Sequence, residues 1–225
     1  MSLTPTELHA LFAARRSCRA FRPDPVAPEV IEQITATARL VPSWCNAQPW
    51  QITVTSGAAT DRLRAALQAE AASGKPMRPD RPFPAGYSGI YRDRRRACGW
   101  QLYDAVGVAR GDRAGSARQM LENFALFGAP HTAILSSPDE LGEYGVLDCG
   151  GFITAFMLAA EAQGVASIAQ AAVAGYGALL HRHFDIPEDR SILCAISFGY
   201  SDPDHPANGF RTPRADPGDI IDWRE

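Results

Sequence analysis

The sequence predicts an α/β or α+β fold, one domain built on a single small sheet flanked by helices. Segments of helical period alternate with short β-patterned runs, which calls for both element types packed in layers. Few strand candidates stand against many helices, so the sheet is small. The 225 residues, 46% hydrophobic and 21% charged, suffice for a substantial core. No internal repeat, low-complexity tract or clean boundary interrupts the chain, so residues 1–225 read as one domain.

The elements follow in order. Thr4, Pro5 and Glu7 open a helix, with Thr4 as cap, Pro5 at the first helical position and Glu7 completing a capping box. Leu8, Leu11 and Phe12 give that helix one apolar face, and it ends near RRSCRAF. Pro28 starts a second helix with Val30, Ile31, Ile34 and Ala38 on one side. In WQITVT, Trp50, Ile52 and Val54 alternate with Gln51, Thr53 and Thr55, a strand with one buried face. A third helix over about 60–72 leads into SGKPMRPDRPFPAGYSG, a Pro- and Gly-rich loop expected to be mobile. Helices are expected over 92–108 and 114–127, and a strand at HTAILSS. Residues 148–163 form a helix apolar nearly all round, expected to be buried against a partner subunit. VASIAQAAV is a short apolar piece without assigned structure. A helix over 174–184 and a central strand ILCAISFGY precede an irregular tail.

Several function classes are excluded. A net charge of −3 gives no electrostatic case for nucleic acid or an anionic membrane. No apolar run reads as long enough to span a bilayer, and the N-terminus lacks the layout of a secretory signal. Five dispersed cysteines form no disulfide framework or CxxC pair, which points to the cytoplasm. Cys149 and Cys194 read as small buried hydrophobes. No metal-binding spacing, nucleophile elbow, GxGxxG or Walker loop is present. The charged faces DRLRAAL and DRRRACG carry no assigned chemistry.

Three stretches invite a ligand. RRSCRAFR, residues 15–22, holds four arginines, whose planar forks suit phosphate. A solvated patch at a helix end explains it equally well. NGFRTPR, residues 208–214, places Arg211 and Arg214 in a polar loop that alone reads as surface. Together the two clusters can clamp one phosphate. The third stretch is VPSWCNAQPW, residues 41–50. Pro42 and Pro49 stiffen it, Trp44 offers a flat face, and Asn46 and Gln48 each donate and accept hydrogen bonds. These features suit a planar heterocycle, although the amides can also tie down a turn. Trp50 reads as core.

RRSCRAF, then PSWCNAQPW, then SIAQAAV, then NGFRTPR, with RDRRRACGWQLYDAVGVARGDR and ENFALFGAP between, resemble the flavin-dependent nitroreductase family across nearly the whole chain. The resemblance implies an α+β intertwined homodimer with a small central mixed β-sheet. It implies FMN at the subunit interface, NADH or NADPH as co-substrate, and transfer of hydride through flavin N5 to a small acceptor such as a nitroaromatic or quinone. By that resemblance Arg15, Arg16, Ser17 and Arg19 contact the phosphate, ribityl chain and pyrimidine edge of FMN, with Arg19 nearest N1 and O2. Arg211 and Arg214 complete the phosphate clamp. Pro42, Ser43, Trp44, Asn46 and Gln48 come from the other subunit and line the isoalloxazine. Ala169, Gln170 and Ala171 lie along the ring, Asn123 faces its polar edge, and the loop over 73–89 covers the substrate. The cofactor supplies the reactive centre, so no catalytic side chain is expected.

Departures from the family pattern bear on substrate. Gln170-Ala171 stands where many members carry Glu-Gly, and Trp44-Cys45 replaces small residues, narrowing the pocket. A flavin-binding sensor and a non-nitro reductase on the same scaffold (enone reduction, dehalogenation, flavin breakdown) remain open alternatives.

Overall fold

The computed structural model describes residues 4–224. Helix α1 spans Pro5–Ala14, and its capping box forms as the sequence predicts. Thr4 Oγ1 accepts from the Glu7 N–H at 3.2 Å, and the Glu7 carboxylate accepts from the Thr4 N–H at 2.8 Å. Helix α2 spans Pro28–Ala38 and buries Ile34 and Ala38. Strand β1 (Gln51–Ser56), α3 (Ala58–Ala72), α4 (Gly89–Ala105) and α5 (Arg113–Leu121) follow. Then come β2 (His131–Pro138), α6 (Gly142–Ala162), β3 (Ala166–Gln170), α7 (Ala171–Ala174), α8 (Gly177–Phe184) and β4 (Arg190–Gly199).

The sheet runs β1-β2-β4-β3, with every neighbouring pair antiparallel. The implied mixed sheet is therefore corrected for the four strands. Among the described residues a parallel pairing occurs only as an isolated bridge, Ser17 to Ser167. Alternation places Ala133, Leu135, Ile196 and Phe198 on one face, under α2 and α6 with Phe152 and Phe156. Ile134, Ala195 and Ile192 face the other way, onto Leu63, Leu67, Phe124 and Leu180. Both faces are covered, so β2 is buried almost throughout, its polar His131, Thr132, Ser136 and Ser137 included. Each fully buried Phe or Leu of these two layers stabilises the fold by about 1.5–3 kcal/mol.

Several expectations shift. Strand β3 lies within VASIAQAAV, where the five-residue run ASIAQ shows no clear alternation of apolar and polar side chains. The helix expected over 114–127 ends at Leu121, where Leu126 and Phe127 turn to φ values of 55° and 52°. The helix expected over 174–184 breaks between Ala174 and Gly177. In β1, Trp50 and Ile52 pack inward, with Trp50 stacked on Phe152 at 5.4 Å. Val54 is exposed and Thr55 is buried instead, bonding to Thr132 and Thr60 on this edge strand. The loop over 73–88 is pinned. Asp80 accepts from His181 Nε2 at 2.9 Å and from the Ile192 N–H at 2.8 Å, and Arg78 N–H donates to the Gly175 carbonyl.

Helix α6 starts at Gly142, six residues earlier than expected. Gly145 allows this. A Cβ there would lie 2.6 Å from Ser137 Oγ and 2.9 Å from Leu141 Cβ, so only glycine lets the helix cross β2 this closely. The run Asp139–Ala162 is long and apolar enough to cross a membrane by length and composition alone, a length the sequence reading did not anticipate. Its Cys149, Phe152, Phe156 and Ala160 face is core. Its opposite face, with Tyr144 and Leu147, is exposed in the single chain. The apolar face of α1 is also uncovered at Leu8 and Phe12.

Two histidines report the packing with opposite sign. His131 is buried against Phe198. Its Nε2 accepts from the Val26 N–H at 2.9 Å, so Nδ1 carries the proton toward the Thr55 carbonyl. Burial lowers its pKa from 6.5 despite that second bond. His181 has an acceptor at each nitrogen, Ile186 O and Asp80. Burial opposes its charging, but those bonds outweigh it and its pKa is raised. The His131 contribution is thus complete above the unfolded pKa of about 6.5 and is lost as pH falls below it. The His181 contribution is complete below that pH and is lost as pH rises through the folded value. Denaturant midpoints measured from pH 7.5 to about 5.5 should fall less in His131→Asn than in the wild type. An unchanged slope would show that His131 does not titrate with folding.

Candidate functional site

The first basic cluster is placed by the end of α1. Arg15 leaves the helix with ψ of 125°, so the arginines lie on extended chain rather than a continued helix. Extended backbone sends Arg15, Ser17 and Arg19 to one side, while Cys18 and Ala20 are buried on the other. The segment runs beside the sheet: the Cys18 N–H bonds Ser167 O at 3.1 Å and the Arg22 N–H bonds Tyr200 O at 2.8 Å.

The C-terminal cluster arrives by a polar staple. Asn208 is 4% exposed. Its Oδ1 accepts from the Arg19 N–H at 2.7 Å, and its Nδ2 donates to Ala20 O at 2.9 Å and Asp202 O at 2.8 Å. The two chain ends, almost 200 positions apart (Arg15 to Arg214), thereby close one cavity of about 280 Å³. Arg15, Arg16, Ser17, Arg19, Arg211 and Arg214 line it, with Phe12, Cys98, Phe210 and Thr212 among the remaining walls. The two basic clusters thus meet at one cavity.

Its electrostatics are one-sided. Among the described residues no carboxylate lines the cavity. Among the described residues, none of the five arginines has a carboxylate oxygen within 4.0 Å. Arg16 Nε is buried without a hydrogen-bond partner. Burial, and then neighbouring Arg214, lower the pKa of Arg15, with Glu161 acting the other way. Burial likewise lowers that of Arg19, whose guanidinium sits 5.7 Å over the Phe210 ring. A guanidinium cannot escape by deprotonation, so the cavity calls for an anion. A phosphate supplies several acceptor oxygens for these forks.

The other predicted residues fall into two groups. Ala169, Gln170 and Ala171 end β3 and start α7, close to the cavity through the bridge from Ser17 to Ser167. Ala169 and Ala171 face outward, whereas the Gln170 side chain is buried. It accepts from Ser197 Oγ and donates to Asn123 O at 2.9 Å. The reason is satisfaction of a buried polar line, which Thr132 continues at 3.2 Å from Ser197. Asn123 stands beside Gln170, its own amide donating to Met120 O.

Pro42, Ser43, Trp44, Asn46 and Gln48 form an exposed or half-exposed turn between α2 and β1, outside the arginine cavity. Cys45, Asn46 and Gln48 adopt φ values of 48°, 60° and 50°, a cluster of left-handed non-glycine residues. The prolines alone do not shape it. Sequence reasoning also missed Cys98, which α4 carries to the cavity wall from the stretch given no chemistry. A single cysteine among arginines on a helix has no spacing to mark it.

Comparison with known proteins agrees with this arrangement. The sequence profile of the nitroreductase family matches residues 12–200. The chain is 37% identical over 206 residues to "Nitroreductase NfnB" of Mycolicibacterium smegmatis, covering 91% of this chain and 87% of that one. It is 33% identical over 214 residues to "4-nitrobenzoate reductase" of Pseudomonas putida, covering 95% and 94%. The crystal structure of the FMN-dependent nitroreductase NfnB from Mycobacterium smegmatis in complex with NADPH superposes with a TM-score of 0.92 at 35% identity, covering 97% of this chain and 98% of that one. With the motifs, the fold and the arginine cavity in agreement, this chain belongs to the nitroreductase family.

Proposed function

We propose that the chain is an FMN-dependent oxidoreductase that passes hydride from NADPH or NADH to a nitroaromatic or quinone acceptor in a ping-pong cycle. The observation that carries this reading is the carboxylate-free arginine cavity beside the outward-facing end of β3. It fits the phosphate of FMN by charge and donor set, and the buried, unpartnered Arg16 Nε is left for a ligand to satisfy. When bound, FMN supplies the hydride-accepting N5 that the side chains lack.

The chain's own residues bind and orient. Arg15, Arg16, Ser17, Arg211 and Arg214 would hold the phosphoryl end of FMN, and Arg19 would stabilise negative charge on its pyrimidine edge. Ala169 and Ala171 present a small-residue floor, and their lack of side-chain bulk lets backbone N–H groups at the start of α7 approach the ring. Pro42, Ser43, Trp44, Asn46 and Gln48 supply the opposite wall from a second copy of the chain. This homodimer is supported by the separation of that wall from the arginines and by uncovered apolar groups at Leu8, Leu40, Trp44, Tyr144, Leu147 and Trp223. The relatives act on 4-nitrobenzoate and use NADPH by their names, so these are the first substrates to try. We place the enzyme in the cytoplasm as one domain over residues 1–225, in keeping with five free cysteines.

Purified protein should be yellow, bleach on anaerobic NADPH addition and recover colour with 4-nitrobenzoate, with parallel-line steady-state kinetics. A protein that takes up no FMN contradicts the reading. One that binds FMN but reduces it slowly with either nucleotide is a sensor instead. Asn208→Ala should leave the Arg19 N–H and Ala20 carbonyl unpaired, costing about 1–3 kcal/mol of stability. It should weaken FMN by a larger factor than riboflavin, as separate titrations of the two flavins would show.

A further inference from the structure

The turn over 43–49 keeps three residues in left-handed backbone at the protein surface. Such conformations persist only when surrounding contacts over-determine them. Internal bonds help: Ser43 Oγ accepts from the Gln48 N–H at 3.0 Å, and the Ala47 N–H bonds Trp44 O at 2.9 Å. These shape the turn but do not fix it to the body of the protein.

Two charged side chains do so, one at each end. Asp148, in the first half of α6, accepts the Trp44 N–H at 3.0 Å through Oδ2. One helical turn earlier on the same face, Tyr144 packs its ring against the Trp44 indole, 4.7 Å between centroids. At the far end, the Arg190 guanidinium donates to Pro49 O at 2.9 Å. Its plane is fixed by further bonds to Ser136 Oγ and Ser136 O, both at 3.0 Å. Ser136 lies at a bulge in the β2–β4 ladder. Among the described residues Arg190 has no carboxylate within 4.0 Å, so its donors serve backbone and hydroxyl oxygens. Hydrogen bonds with one charged member are the stronger kind, and here they span helix, turn and sheet.

We infer that Asp148 and Arg190 are positioning residues, which hold the turn over 43–49 at the angle and height where Asn46 and Gln48 meet the flavin ring. This rests on the proposal that the turn lines the ring. Neither residue touches the cofactor. They act by anchoring the two ends of a strained segment between α6 and the sheet. Trp44, seated on Tyr144 and held by Asp148, shares that anchoring, so acceptor affinity depends on the same pair.

The test uses FMN-loaded protein carrying Asp148→Ala, Asp148→Asn, Arg190→Met or Arg190→Lys, beside Asn46→Ala. Misplacement by about an ångström is the expected defect, so Asp148→Ala and Arg190→Met should raise the FMN Kd and the KM for 4-nitrobenzoate by about 10–100-fold. The visible circular dichroism of the bound flavin should change, while kcat at saturation falls less than KM rises. Asp148→Asn keeps an acceptor oxygen and should restore FMN affinity to within about threefold of wild type. Arg190→Lys cannot bridge Pro49 and Ser136 together and should not restore it. If Arg190→Met fails to fold, Arg190→Lys and the Asp148 pair decide the matter. FMN affinity, KM and dichroism at wild-type values in Asp148→Ala and Arg190→Lys, with Asn46→Ala defective, would overturn this inference alone. Wild-type behaviour of Asn46→Ala as well would overturn both it and the turn's place at the ring.

Discussion

Five guanidinium groups gathered around one small cavity, without a carboxylate among them, are the constraint on which the site depends. Like charges about 4 Å apart repel by about 4 kcal/mol at an effective dielectric of 20. The fold therefore has to hold the arginines together against their own field. It does so with backbone rather than counter-charge. Extended chain leaves α1 along the sheet edge, and Asn208 ties the C-terminal segment to it through fully used amide atoms. A bound phosphate would turn that repulsion into attraction, so the same arrangement would create affinity for such a ligand.

The rest of the architecture distributes the remaining site over a scaffold that is rigid where it must be. The sheet carries β3 and the start of α7 to the cavity's edge, with the Gln170–Ser197–Thr132 line satisfying the polar groups between strands. Helix α6 faces two ways. Its aromatic face completes the core under the sheet, seated closely at Gly145. Its outer face bears Tyr144 and Asp148, which meet the proline-bounded turn. A site assembled from such distant pieces uses fold stability to prepay the ordering of a flat ligand.

Much of this was legible in the sequence because it depends on local signals. The capping box at Thr4, the amphipathic α2 and the short β-patterned runs of β2 and β4 follow from period, composition and cap chemistry. The basic clusters were visible as residue types, and their family order made their meeting predictable. Other features lacked any such signal. The five residues of β3 show no clear alternation, and Gln170 looks like a ligand contact until its amide is seen bonding Ser197 and Asn123. Asp148 is one polar residue in an apolar helix and Arg190 one basic residue before a strand. Their roles come from tertiary hydrogen bonds to backbone atoms, which composition and spacing do not encode. The exposed Val54 and buried Thr55 follow from β1 lying at the sheet edge, a matter of topology.

The central claim is that the arginine cavity exists to hold a phosphoryl group. The most direct measurement is the affinity of the flavin-free protein for FMN against riboflavin, which differ only in that group. Two charge-assisted hydrogen bonds of about 1.5–3 kcal/mol each predict that FMN binds at least about a hundredfold more tightly, with the advantage shrinking at high salt. Equal affinity for the two flavins, insensitive to salt, would contradict the account.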